Sequence, residues 1–337
     1  MAKNNVIHSK VTIAREYREK YGMEMPTLKL ARIVYAENNL LFRDVEDARC
    51  RLRAIEGKTG KQGNAIITHP YPERPKNPYK LPDSWGKSKD VFKLPILCNR
   101  IGFIGDTQIP FHDNKAIVAA VDYLKEKKVN TIFLNGDVAD FYGISFYQKD
   151  PRKRKFVEEI EDVRTFLGWL RAEFPDAAIY FNMNANHELR WEKWLMQKAQ
   201  EVFGMPEFEL ENILKLNEFK IIPLKDYDHC LIGKLPVFHG HTLFGRFGNQ
   251  VSKAKTVFDK LKHGAIASHV HVTDEFNTKD HVTGKMFTTW TVGCLMDLNI
   301  EYNPHGNQYN HGFAYIETDT EGNYRVENKR IFNGKVL

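Results

Sequence analysis

Short apolar runs alternate with amphipathic stretches along most of this chain. Runs of β-branched and aromatic residues predict buried strands, and apolar positions recurring every three or four residues predict helices. The alternation is typical of an α/β domain whose helices cover the faces of a sheet. The predicted strands are 100–104, 131–134, 178–182, 235–238 and 265–267, and the predicted helices are 114–127, 152–173, 188–200 and 250–263.

The end of the chain has a different pattern. Residues 285–292, 313–317 and 324–332 are predicted strands with no helical stretch between them. We therefore expect a second sheet that closes a sandwich with the first.

Three short helices are predicted near the start, at 11–21, 27–38 and 44–56. The second and third resemble a helix-turn-helix, whose second helix would carry a basic face, with Arg49 and Arg53, into a DNA groove. A bundle that docks on a neighbour or holds a homo-oligomer together uses the same apolar spacing and stays the alternative. The predicted domains are a helical module over 1–57, a Pro/Lys-rich linker over 58–97 and a larger domain over 98–337.

The composition is that of a globular protein, and its charge is unevenly distributed along the chain. With 42% hydrophobic residues the chain can form a real core, and its net charge is +6. The first 100 residues hold 20 Lys and Arg against 11 Asp and Glu, so any attraction to a polyanion is concentrated there; a solvated surface that happens to be basic is the alternative.

No apolar run approaches the roughly 18 residues of a membrane span, and residues 1–10 lack the apolar stretch of a secretion signal, so a cytoplasmic protein without a membrane partner is expected. The four cysteines form no C-x-x-C pair, which argues against disulfides and thiolate zinc sites.

Five polar clusters follow five of the predicted strands, so their side chains should lie on loops at strand ends. Taken singly, each suits an ordinary polar turn, a helix cap or a loop histidine. Together, in this order, they favour a metal site. The clusters are Asp106-Thr-Gln108, Gly136-Asp137-Val-Ala-Asp140, Asn186-His187-Glu188, His239-Gly-His241 and His269-Val-His271.

This donor set suits two metal ions that act on a phosphate ester. Two divalent cations about 3.5–4 Å apart generate hydroxide at neutral pH and neutralise charge on phosphoryl oxygens. Holding them so close requires a bridging carboxylate, and Asp137 is the best candidate. Imidazole, carboxylate and carboxamide ligands without sulfur suit manganese, iron or zinc.

The order of the clusters resembles the calcineurin-like metallophosphoesterase superfamily, whose pattern runs D-x-H, G-D-x-x-D, G-N-H-[DE], a lone H and G-H-x-H. The resemblance covers about residues 98–316 and implies a two-sheet αββα sandwich with two divalent ions, Mn²⁺ first and Fe²⁺/Fe³⁺ or Zn²⁺ as alternatives. It implies that His187 protonates the departing oxygen and that Asp140 orients His187. The implied ligands are Asp106, Gln108, Asp137 and His271 for the first metal, and Asp137, Asn186, His239 and His269 for the second.

Three positions depart from the family pattern. Gln108 stands where histidine is usual, and as a weaker neutral donor it should loosen the first site or shift its metal preference. Ala185 and Ser268 replace glycines. Alanine at 185 requires a backbone φ below zero, or else a distorted Asn186 loop.

Other residues near the clusters have open roles. His241 could replace His239 as a ligand, contact substrate or brace its loop, and the last two are favoured. Arg190 and Arg246 could each grip a phosphate oxygen or form a surface salt bridge. Residues 303–311 are either a loop over the site or an ordinary polar turn.

We expect a metal-dependent phosphodiesterase, a nuclease that acts on DNA rather than RNA through metal-activated hydroxide, with His187 as general acid. The basic N-terminal part motivates the nucleic acid partner. A phosphomonoesterase is the alternative, although Phe141-Tyr142 stands where phosphoprotein phosphatases have R-G. A DNA-binding or assembly protein with a degenerate metal site is a third hypothesis, motivated by Gln108 and Ala185.

Overall fold

The structure is a computed structural model that describes residues 2–59, 86, 88–146, 150, 155–244, 251–299 and 307–337. Its compact units are Met1–Gly86 and Lys87–Leu337. Among the described residues, no helix combines the length and the apolar composition that a bilayer crossing requires.

The first unit contains the three predicted helices, α1 (Ala2–Tyr21), α2 (Thr27–Glu37) and α3 (Val45–Ile55). Asp44 caps α3, because its carboxylate accepts a hydrogen bond from the Asp47 N–H. Apolar side chains spaced at three and four residues meet in one small core, which includes Ala14, Leu30, Val34 and Leu52.

A buried ion pair joins the ends of these three helices. The Arg18 guanidinium contacts Glu56 and donates hydrogen bonds to the carbonyl groups of Gly22 (2.9 Å) and Met25 (2.8 Å). Glu56 also accepts a hydrogen bond from the Thr27 hydroxyl (2.7 Å). Both charges have hydrogen-bonding partners, as burial requires.

The second unit has five α-helices and thirteen strands among its described residues. The helices are α4 (Asn114–Glu126), α5 (Phe156–Glu173), α6 (Glu188–Lys198), α7 (Leu210–Ile213) and α8 (Lys253–Leu261). The strands are β1 (Asp90–Lys93), β2 (Arg100–Ile104), β3 (Thr131–Leu134), β4 (Ala178–Asn182), β5 (Ile221–Leu224), β6 (Tyr227–Ile232), β7 (Leu235–Phe238), β8 (Ala265–Ala267), β9 (Asp274–Lys279), β10 (Met286–Thr291), β11 (His311–Thr318), β12 (Tyr324–Phe332) and β13 (Lys335–Val336).

The strands form two sheets, as the predicted sandwich requires. One has the order β13-β12-β11-β2-β3-β4-β5 and the other β1-β6-β7-β8-β10-β9. In the first sheet β2, β3, β4 and β5 run parallel, with Ile101 opposite Thr131 and Thr131 opposite Ala178. The carboxyl ends of these strands therefore lie at one edge.

Alternating side chains separate two cores. Phe103, Phe133 and Tyr180 face the second sheet, where they meet Ile232, Val237 and Trp290. Their neighbours Ile104, Leu134 and Phe181 point the other way and pack in the core that contains α4, α5 and α6. This period of two is that of strands buried on both faces.

Two predictions about the sheets need correction. The last strands do not all lie in the second sheet. Only β10 lies there, while β11 extends the first sheet antiparallel to β2, and β12 pairs antiparallel with β11. Residues 90–93, predicted to belong to the linker, form β1, which pairs in parallel with β6. The second compact unit accordingly begins before residue 98.

Candidate metal centre

The polar clusters converge because the strands that precede them end at one place. Asp106, Asp137 and Asn186 follow the adjacent parallel strands β2, β3 and β4, and His239 and His269 follow β7 and β8 of the other sheet. Asn135 joins the two sheets here: its amide donates to the carbonyl of Phe238 and to the hydroxyl of Ser268, both at 2.8 Å.

Five of the predicted ligands have a left-handed backbone, which non-glycine residues rarely adopt. Their φ values are 54° for Asp106, 45° for Gln108, 50° for Asp137, 71° for His269 and 59° for His271. Each left-handed conformation costs about 1–2 kcal/mol and persists only where contacts with the surrounding residues stabilise it. Such strain is concentrated at functional sites, and here it turns successive side chains toward one point.

Asp137, His239 and His269 could hold one ion together. One ligand atom from each lies within 4.8 Å of the others. Asp137 Oδ2 lies 3.3 Å from His239 Nε2, and Asn186 Oδ1 lies 3.0 Å from the same nitrogen. These are the four residues of the second predicted set.

The hydrogen bonds of His239 show that this place fits a cation. Its Nδ1 lies 2.8 Å from the Asn135 carbonyl oxygen, which can only accept, so Nδ1 carries the proton. In the neutral ring, the Nε2 lone pair then faces two oxygens, and Asp137 Oδ2 has no hydrogen-bond partner among the described residues. Burial lowers the pKa of His239, but the Asp137 and Asp106 charges outweigh it and raise that pKa to about 9. Either a second proton on His239 or a bound metal ion would remove the repulsion between the Nε2 lone pair and these two oxygens.

The first predicted set also comes together. Asp106 is fully buried, and its Oδ1 lies 3.1 Å from His271 Nε2 while Oδ2 accepts the N–H of His269 (3.0 Å). Gln108 Nε2 lies 3.4 Å from His271 Nε2, and the Gln108 N–H donates to the Asp137 carbonyl (3.0 Å). Asp137 thus contacts the second set through its carboxylate and the first set through its main-chain carbonyl.

His187 lies beside this cluster at the start of α6. Its N–H donates to Asp137 Oδ1 (3.0 Å), its Nε2 lies 3.6 Å from Asp137 Oδ2, and its Nδ1 lies 3.6 Å from Asp140 Oδ1. Burial, assisted by the Arg190 charge, lowers the pKa of His187 despite the opposing effect of Asp137. Nε2 is therefore the ring nitrogen that faces the predicted metal ligands, and Nδ1 is the one that faces Asp140.

The glycine replacements are accommodated by their neighbours. Ala185 is fully buried and is absent from the described residues with positive φ, so the condition for alanine is met. Its Cβ would lie 2.1 Å from a Cβ added at Gly136, so these two positions cannot both carry side chains. Ser268 packs in the same way on Gly105 and accepts the hydrogen bond from Asn135.

Other predicted residues have more limited contacts. The His241 ring centroid lies 5.6 Å from that of His239 and 6.2 Å from that of His269, and burial foremost lowers the pKa of His241 to about 4. Arg246 lies outside the described residues. Of the 303–311 loop, Tyr309 packs edge-on against His271, with ring centroids 4.6 Å apart, and so supports that predicted ligand.

Two residues that our sequence analysis gave no role support the ligands. Asn135 accepts from His239 and links both sheets, and Glu188 accepts hydrogen bonds from the N–H groups of Asp137 (2.8 Å) and Val138 (2.9 Å). In the sequence, only their positions indicate a role at the site: Asn135 directly follows β3, and Glu188 follows His187.

The sequence model described as Calcineurin-like phosphoesterase matches residues 99–289, more than half of the chain. The chain belongs to the calcineurin-like phosphoesterase family. As a member, it is a metal-dependent phosphoric ester hydrolase, and its family implies two divalent metal ions. When bound, the two ions would supply an activated water and neutralise charge on the phosphoryl group.

Relatives of this phosphoesterase include two phage proteins. The Gene 54 proteins of Mycobacterium phages L5 and D29 are each 26% identical to it over 238 residues, which is 66% of this chain and 90% of theirs. Among solved structures, YfcE, a phosphoesterase from E. coli, aligns with 66% of this chain and 93% of its own at 11% identity and a TM-score of 0.29.

Proposed function

We propose that this phosphoesterase is a manganese-dependent phosphodiesterase that cleaves DNA. The observation that carries the proposal is the position of His187, with Asp140 on one side and the Asp137 carboxylate on the other. A sugar alkoxide is a poor leaving group, so its departure requires a proton from a fixed donor. His187 supplies that proton, and Asp140 holds the ring in orientation.

Charge and donor type support the finer parts of the proposal. The excess of Lys and Arg in the first 100 residues favours a polyanionic substrate, for which sequence-independent phosphate contacts give affinity. Imidazole, carboxylate and amide donors without thiolate favour Mn²⁺, with iron and zinc as the competing ions.

The test compares ester classes and nucleic acids with Mn²⁺ present. We expect faster hydrolysis of bis-p-nitrophenyl phosphate than of p-nitrophenyl phosphate, and cleavage of plasmid, linear or single-stranded DNA in preference to RNA. A preference for the monoester would replace this proposal with a phosphomonoesterase. Metal binding without hydrolysis of any phosphoester would favour a DNA-binding protein with a degenerate site.

Asp137→Asn links the activity to the centre. Removing the charge shared by the two metals should lower the rate by at least about a hundredfold and lower the metal content. The matched control is Asp113→Asn, because Asp113 caps α4 through Ala116 (2.9 Å) and asparagine caps equally well. Cleavage that survives Asp137→Asn would contradict the dependence of the activity on this centre.

A further inference from the structure

Arg190 places a positive charge beside the predicted metal ligands. It lies in the first turn of α6 and is half-buried. Its Nη1 donates to the main-chain carbonyl of Asp140 (2.6 Å), and its Nη2 lies 2.9 Å from His187 Nε2. Among the residues that the structure describes, it forms no ion pair, whereas the buried Arg18 pairs with Glu56. A half-buried guanidinium that is not in an ion pair favours the binding of an anion.

The contact with His187 fixes where the imidazole proton lies. A guanidinium has five N–H donors and no acceptor, so His187 Nε2 must accept this hydrogen bond. The proton of the neutral ring is then on Nδ1, the nitrogen 3.6 Å from Asp140 Oδ1. While Arg190 occupies Nε2, that nitrogen cannot donate to a leaving oxygen.

We infer that Arg190 is a substrate-binding residue. When a phosphoester enters, Arg190 Nη2 gives up its hydrogen bond to His187 Nε2 and donates to a phosphoryl oxygen instead. The inference rests on the proposed function of this site. A phosphoryl group offers the paired oxygens that a guanidinium binds best. The bond to the Asp140 carbonyl anchors one end of the guanidinium while the other end turns. Once Arg190 has turned away, His187 Nε2 is free to face the leaving oxygen, as the proposed proton transfer requires.

The test measures anion binding as well as turnover. Calorimetry with inorganic phosphate on the Mn²⁺-loaded protein gives affinity, and bis-p-nitrophenyl phosphate hydrolysis gives kcat and KM. Arg190→Gln should weaken phosphate binding and raise KM, each by about ten- to a hundredfold, the usual effect of losing a hydrogen bond to a charged group. Arg190→Lys keeps the positive charge but loses the paired N–H donors of the guanidinium. Its phosphate affinity and KM should therefore lie between those of the wild type and Arg190→Gln. Lys198→Gln, an exposed cation at the end of the same helix, should change neither quantity.

Two outcomes would overturn the inference about Arg190. If Arg190→Gln lowers kcat but leaves phosphate affinity and KM unchanged, Arg190 acts only through His187 and the inference is wrong. If Arg190→Gln does not fold, Arg190→Lys decides: a phosphate affinity equal to that of the wild type overturns the inference. A wild-type protein that binds phosphate through Arg190 but does not cleave DNA would contradict only the proposed function.

Discussion

Glu188 fastens the loop of Asp137 to the start of α6. Its two carboxylate oxygens accept the N–H groups of Asp137 (2.8 Å) and Val138 (2.9 Å), and Asp137 Oδ1 accepts the N–H of His187 (3.0 Å) in return. These reciprocal bonds stabilise the left-handed backbone of Asp137 (φ 50°). The bridging candidate and the proton donor candidate are therefore positioned by one buried side chain.

Glu188→Gln should loosen this loop. A glutamine keeps one acceptor oxygen but turns an NH₂ group toward the second N–H, leaving it unpaired. We expect the free energy of unfolding to fall by about 1–3 kcal/mol. Metal affinity should fall by about 10- to 100-fold. Urea denaturation and metal titration measure the two effects. Glu192→Gln, exposed on the same helix, is the control, and a metal affinity unchanged by Glu188→Gln would show that Glu188 does not position the ligands.

Apolar patterning predicted the elements that pack on both cores, but not the edges of the sheets. β2, β3 and β4 are continuous apolar runs, so they stand out in the sequence. β5 contains Pro223 and lies at a sheet edge, and β9 alternates exposed and half-buried residues around Phe276. The proline weakens the strand signal of β5 although its other residues are apolar, and β9 carries little apolar signal because half of its side chains are exposed.

The candidate ligands could be predicted because each follows a buried strand, whereas their support could not. Asn135 and Glu188 act on residues 50 to 133 positions away, so their roles depend on which loops meet in space. Likewise, the fit of Ala185 against Gly136 and of Ser268 against Gly105 depends on contacts between strands.

Gln108→His should strengthen the first metal site. Gln108 is buried beside His271, and its φ of 45° is one that histidine tolerates better than most residues. An imidazole nitrogen is a stronger donor than a carboxamide oxygen for manganese, iron or zinc. We expect about tenfold tighter binding of one of the two ions. Calorimetric titration with Mn²⁺ and Zn²⁺ measures it. Identical affinities in both proteins would mean that Gln108 does not ligate.

Glu159→Gln should change how stability depends on pH. Burial, followed by the charge of Asp140, raises the pKa of Glu159 to about 8, although the N–H groups of Phe141 and Tyr142 oppose this. The folded protein therefore prefers the protonated acid, and this contribution to stability is present below the pKa of the unfolded chain, 4.5, and is lost as pH rises through about 8.

The measurement is urea denaturation of the wild type and Glu159→Gln at pH 5 and pH 9. Relative to the wild type, the variant should gain stability at the higher pH, by an amount on the order of a few kcal/mol. Its amide oxygen can still accept the hydrogen bond from the Phe141 N–H. Glu158→Gln, an exposed neighbour, is the control. A difference between variant and wild type that is the same at both pH values would contradict the prediction.

The exposed, unpaired charge of the first unit lies on α2 more than on α3. Lys29 and Arg32 are exposed, are three residues apart on one face, and form no ion pair among the described residues. On α3, Arg49 pairs with Glu46 (3.1 Å), and Arg51 lies 3.9 Å from Asp47. Two of the three arginines on the second helix of the proposed helix-turn-helix, Arg49 and Arg51, thus face acids of the same helix, and Arg53 forms no ion pair among the described residues.

If the first unit delivers DNA, Lys29→Gln/Arg32→Gln should weaken DNA binding and reduce its salt dependence. Each phosphate contact contributes about 0.9 to the slope of log K against log salt, so losing two should lower that slope by about 2. Arg49→Gln/Arg51→Gln, with the same change in net charge, should lower it less because both arginines already face carboxylates. Fluorescence anisotropy with duplex DNA, in the Asp137→Asn background to prevent cleavage, measures all three slopes. Equal slopes with and without Lys29 and Arg32 would show that this surface does not contact DNA, and a larger loss with the α3 pair would assign the contact to α3 instead.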